Sequence, residues 1–168
     1  MKFKAFAVAV LAVSVSAWCL AVAGATGAVN ADTAFDNLKS LAGEWQAKDP
    51  TGKMQTITWK VVSGGSVIME SMQEESMVTM YHVDKDHLML THYCSAHNQP
   101  RMQAQVSDDG KTITFNFLDA TNLNSPADPH MHKMVLTIVD KDHFNEQWFF
   151  SVNGKASDHG VFEFARKK

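Results

Sequence analysis

The chain has 168 residues, 15 basic and 18 acidic, for a formal charge of −3. Its only basic cluster is the terminal Arg166-Lys167-Lys168, so the clustered Lys and Arg that neutralise phosphates are missing and no nucleic-acid partner is expected. Beyond the N-terminal segment the only thiol is Cys94, which excludes an intrachain disulfide there; a domain of this size can bury enough surface to fold without one.

Lys2 and Lys4 precede an uncharged apolar run from Ala5 to Ala23, and small residues follow as far as Ala31. This is the layout of a secretory signal peptide, with Val29-Asn30-Ala31 as the best small-x-small exit. Ser14, Ser16 and the many alanines make the run a poor membrane anchor. Trp18 stands where lipoprotein processing at Cys19 would need a small residue. Residues 1–31 are therefore expected to be a signal peptide and residues 32–168 a single exported domain, periplasmic or secreted, with no membrane span after cleavage.

The first element of that domain is a short helix. Ala34, Phe35, Leu38 and Leu41 fall at helical spacing, with Thr33 placed to cap the start and Gly43 following the end. Strands account for the rest. Turn signals arrive about every ten residues: Asp49-Pro50-Thr51-Gly52, Ser63-Gly64-Gly65, Asp84-Lys85-Asp86, Asp108-Asp109-Gly110, Asp140-Lys141-Asp142 and Asn153-Gly154. Between them, runs rich in Val, Ile, Thr and aromatics predict strands near 43–48, 54–62, 66–72, 76–83, 87–94, 101–106, 111–118, 130–139, 143–152 and 157–166. Ten strands joined mostly by tight turns make an all-β antiparallel meander, and closure into a barrel removes its two open edges. Ser95 to Pro100 and Asp119 to Pro129 are longer connections suited to a rim or lid.

The stretch Phe35-Asp36-Asn37-Leu38-Lys39-Ser40-Leu41-Ala42-Gly43-Glu44-Trp45 resembles the opening of lipocalin-like barrels, in which a short helix leads into Gly-x-Trp on the first strand. The resemblance implies that Trp45 closes the barrel floor and that the lumen holds a small ligand. His92-Tyr93-Cys94 with Asn98-Gln99-Pro100-Arg101-Met102 is also similar to a group of exported bacterial lipocalin-like proteins. Nitrobindins, ten-stranded haem-binding barrels, resemble the chain in strand order; it lacks their glycine-rich continuation after the Trp, and His159 is the nearest positional candidate for their iron-binding histidine.

Successive strand residues point to opposite sheet faces, so polar groups sharing parity with apolar neighbours are the informative ones. His92 goes with Leu88 and Leu90, His130 and His132 with Met134 and Leu136, Glu70 with Ile68 and Met72, and Glu146 with Phe144 and Trp148. A carboxylate buried alone is costly, so Glu70 and Glu146 should meet partners or ligands or take up a proton. Trp59, Phe115 and Trp148 would supply apolar wall, and Arg101 could reach a ligand at the rim. These residues predict a binding site for a small apolar or amphipathic molecule. The alternative is a haem- or metal-binding barrel, possibly enzymatic, using His130 and His132 with a third ligand from Glu146 or His92. No catalytic motif occurs, which favours a non-enzyme, and no motif specifies a cofactor. The ten methionines form no run of the tight spacing expected for a copper site.

Overall fold

The computed structural model describes residues 29–168 apart from Pro50 and Glu75. The expected signal segment therefore lies outside the described residues except for Val29, Asn30 and Ala31. The described chain is one helix, α1 (Ala31–Lys39), followed by ten strands: β1 (Gly43–Lys48), β2 (Met54–Val62), β3 (Val67–Met72), β4 (Met77–Asp84), β5 (His87–Tyr93), β6 (Gln99–Val106), β7 (Thr112–Thr121), β8 (His130–Asp140), β9 (His143–Val152) and β10 (Lys155–Arg166). Each strand pairs antiparallel with its sequence neighbours, and β1 pairs with β10 through Trp45 opposite Arg166, so the meander closes into a barrel with no free edge. Among the described residues no helix is long and apolar enough to cross a membrane.

The helix starts earlier than the periodicity predicts. Asn30, not Thr33, is the cap: its side-chain oxygen accepts the Thr33 amide at 2.8 Å, and Ala31 is already buried. Ala34, Phe35 and Leu38 form the buried face of α1, which packs against β4 and β5 and covers one end of the barrel. At the junction with β1, Gly43 has φ +137°, and a Cβ there would lie 2.8 Å from the Arg166 guanidinium, so glycine suits both the backbone and the space. Arg166 lies over the Trp45 ring at 4.0 Å and donates to the carbonyls of Ser40, Ala42 and Lys141. Trp45 itself donates Nε1–H to Leu41 O at 2.7 Å. The α1–β1 junction and the end of β10 are thus tied together across the floor of the barrel.

Above that floor the lumen is filled. Trp45, Trp59, Tyr81, Phe115, Phe144 and Phe164 are all fully buried. Trp45 meets Phe144 edge-on at 4.7 Å between centroids, Phe144 stacks on Phe164 at 5.0 Å, and Trp59 stacks on Tyr81 at 4.9 Å. Such pairs contribute beyond their buried area, and the column they build runs from the floor to the far half of the barrel.

The candidate ligand cavity

Space remains at the end away from α1, where β3 ends, β4 begins, β5 ends and β8 begins. A cavity of about 50 Å³ opens there, walled by Met72, Met77, Met131, Trp148 and Phe162. It has room for a few waters or the leading atoms of a ligand, against the several hundred Å³ of a drug-sized site. Met72 and Met77 are direct cross-strand partners, and Met131 comes from β8. One hairpin and a strand far along the chain thus contribute methionines to one flexible, polarisable wall.

Three polar groups, Glu70, Thr79 and His92, reach this cavity from adjacent strands. Thr79 and His92 are cross-strand partners, joined by a 2.9 Å hydrogen bond between Thr79 Oγ1 and His92 Nδ1. His92 is 4 % exposed, and its Nε2 has no partner among the described residues. Burial holds its conjugate acid down to about 4, so the ring is neutral at ordinary pH. Glu70 accepts the Tyr81 O–H at 2.6 Å. Burial pushes its carboxyl up to about 7, the Tyr81 bond pulling the other way.

Beside Glu70 sits a second buried acid. Glu146 is fully buried, accepts Trp148 Nε1–H at 3.0 Å, and leaves Oε1 without a partner among the described residues. Burial first, and then the Glu70 charge, raises its carboxyl well above the usual range. Two carboxyls this close to one another and this dry do not both ionise near neutral pH.

The site residues expected from sequence fall into three groups. Glu70, His92 and Trp148 line the cavity. Glu146 stands behind Trp148 as its hydrogen-bond acceptor, while Trp59 and Phe115 both pack on Tyr81 in the column below. Arg101, His130 and His132 lie outside the cavity lining. Arg101 is an exposed ion-pair partner of Asp119, with Nε donating at 2.6 Å.

The histidine pair departs from its expected face because β8 carries a bulge: Met131 opposes Phe150 and Lys133 opposes Phe149, which leaves His132 as the extra residue. Parity reverses across the bulge, so Met131 faces the cavity. The His130 and His132 rings pack instead on Phe117, at 4.5 and 5.1 Å. His130 Nε2 bonds His132 Nδ1 at 3.1 Å and its Nδ1 bonds Asp128 O at 2.7 Å, so both His130 nitrogens are engaged. Among the described residues no set of three His, Cys, Asp or Glu side chains is gathered to hold a metal ion.

A second bulge, at His159 between Asp158 and Gly160 on β10, turns that ring toward the cavity from the exposed side, 5.7 Å from Phe150. In the sequence, only the nitrobindin resemblance points to this position; the bulge takes it out of the strand's alternation. A haem does not fit here, because the methionine and aromatic walls leave far less room than a macrocycle occupies. The two long connections flank the same end and are tied to each other: Asn98 Nδ2 donates to Pro129 O at 2.8 Å and Asn122 Nδ2 to His97 O at 3.1 Å.

The architecture is similar to the crystal structure of Rv2717c from M. tuberculosis, with a TM-score of 0.54 at 15 % identity over 80 % of this chain and 98 % of that one. At that identity the likeness establishes the barrel and nothing of a ligand. A redesigned beta barrel superposes with a TM-score of 0.35 at 10 % identity, covering 78 % of this chain and 94 % of the other. No protein-family model and no curated protein matches the chain.

Proposed function

We propose that the chain is an exported, lipocalin-like small-ligand-binding protein that takes one end of a compact apolar or amphipathic molecule into the cavity between Met72, Met77, Met131 and Trp148. The observation that carries this reading is His92 Nε2, a hydrogen-bonding nitrogen buried in the cavity wall with no partner among the described residues. A buried polar atom left unpaired costs about 1–3 kcal/mol, and a ligand atom entering the cavity recovers that cost. The thioether walls suit a ligand gripped by shape and contact more than by many polar bonds. The filled column beneath limits how far it penetrates, so most of a longer molecule would stay at the rim beside the tied connections.

Export is supported by the composition of residues 1–31, with one refinement. Cleavage after Ala31 would remove the Asn30 cap, worth about 1 kcal/mol, and would start the chain inside α1. A small-x-small exit further upstream, such as Ala23-Gly24-Ala25, leaves the helix whole.

Native mass spectrometry of the protein purified from its own host tests both statements. We expect a processed chain that retains Asn30, carrying one small noncovalent adduct that is absent when Met131→Trp fills the cavity. A bare chain that also takes up no small organic probe in solution would refute the ligand reading, and a mass starting at Asp32 would refute the upstream cleavage.

A further inference from the structure

We propose that the ligand enters by a cationic, amine-bearing end, its ammonium group seated against Glu70 and its apolar remainder running outward between Met72, Met77 and Met131. This deepens the reading above and rests on it: the cavity must first be a ligand site.

Charge complementarity is the first argument. Glu70 is the cavity's acidic wall residue, Glu146 lies buried next to it, and among the described residues neither Lys nor Arg lines the cavity. The titratable groups facing Glu70 are Tyr81 on β4, Glu146 on β9, His92 on β5 and, at the mouth, His159 on β10. Tyr81 already gives its one O–H to Glu70. His92, buried and neutral, supplies no positive charge. An ionised carboxylate in such a place lacks a counter-charge, and an isolated buried charge is heavily disfavoured. An ammonium supplies it. An anionic ligand would meet two acids, and a neutral one would leave Glu70 holding its proton.

The second argument is geometric. Glu70 and Met72 share a face of β3 two residues apart, which places the carboxyl roughly 7 Å deeper than the Met72 position. A head group reaching Glu70 therefore has its first carbons level with the methionines. In the tautomer that donates Nδ1–H to Thr79, His92 Nε2 presents a lone pair, so an ammonium finds two acceptors, Glu70 and His92, on neighbouring sides. The Trp148 and Phe162 rings in the same wall offer π faces to a cation.

The test is calorimetric titration of the processed protein with hexylamine, hexanol and hexanoate at pH 8, where Glu70 is ionised. We expect hexylamine to bind at least about tenfold tighter than hexanol, as one charge-assisted hydrogen bond provides, and hexanoate to bind weakest. Glu70→Gln, which keeps an acceptor for Tyr81, should bring hexylamine down to the level of hexanol. In the unsubstituted protein, lowering the pH from 8 to 5 should weaken hexylamine and leave hexanol flat. If hexanol binds as tightly as hexylamine, if Glu70→Gln retains the amine preference, or if hexylamine affinity does not change with pH, the amine assignment fails while the cavity remains a ligand site. If none of the three binds, both readings fail.

Discussion

Phe144→Ala is expected to lower the barrel's stability by about 3–5 kcal/mol, the range for truncating a large side chain in a packed core. Phe144 is fully buried at the meeting point of the column, 4.7 Å from Trp45, 5.7 Å from Trp59 and 5.0 Å from Phe164. No neighbour can collapse into the space without giving up its own stacking. Val139→Ala, at a half-exposed position on the neighbouring strand, should change stability by no more than about 0.5 kcal/mol. Urea unfolding of the two variants makes the comparison. A Phe144→Ala cost below about 1 kcal/mol would mean that the column is loosely packed, and the confinement of the ligand to the far end of the barrel would lose its basis.

The second large effect is a pair of opposed pH dependences. The Glu70 carboxyl titrates at about 7 when folded, against an ordinary value of 4.5. Its contribution to stability is full below about 4.5 and is lost as the pH rises through about 7, a change of about 3 kcal/mol. Glu146 acts in the same direction. His92 has the opposite sign: its folded value lies near 4 against 6.5, so its contribution is full above about 6.5 and is lost as the pH falls toward 4, again about 3 kcal/mol. Between pH 4.5 and 6.5 the two residues largely offset each other. Glu70→Gln should therefore make stability less favoured by acid than in the parent, and His92→Gln should make the decline toward neutral pH steeper. Thermal melts across pH 4–8 read both slopes. Parallel curves for the parent and the two variants would mean that neither group is held in the dry surroundings described.

Much of the architecture was legible in the sequence because a meander is a local fold. Period-two alternation and Asp- or Gly-rich turns mark each strand where it stands, and closure follows from the edge problem. The inward placement of Glu70, His92 and Glu146 was legible for the same reason, since β3, β5 and β9 carry no bulge before those residues. Around the site, alternation failed at two of the barrel's bulges. The extra residue at His132 turned Met131 inward and left the histidines on Phe117, and the extra residue at His159 brought that ring to the cavity mouth. Nothing in residue type announces a bulge, so the pattern puts the histidine pair on the lumen face whereas the structure places it outside the cavity lining.

Two further features depend on distance rather than order. Met72 and Met77 flank one hairpin and Met131 lies far along the chain, yet all three share one wall, because β3 ends and β4 and β8 begin at the same rim. How much lumen the aromatics leave unfilled is set by side-chain volumes and rotamers, which a pattern of polar and apolar residues does not encode. Asn30 does not read as a cap in the sequence because it sits inside a segment that reads as an export signal. Its side chain shows that the folded domain reaches into that segment.

The most direct test of the account is a titration followed through methionine methyl resonances, with the protein labelled at the Met methyl carbons and hexylamine or hexanol added stepwise. The cavity reading predicts saturable shifts of Met72, Met77 and Met131, while Met54, half-exposed on β2 outside the cavity lining, stays in place. Saturable shifts at Met54 with none at the three cavity methionines, or no saturable shifts at all, would contradict a ligand site at the open end of the barrel.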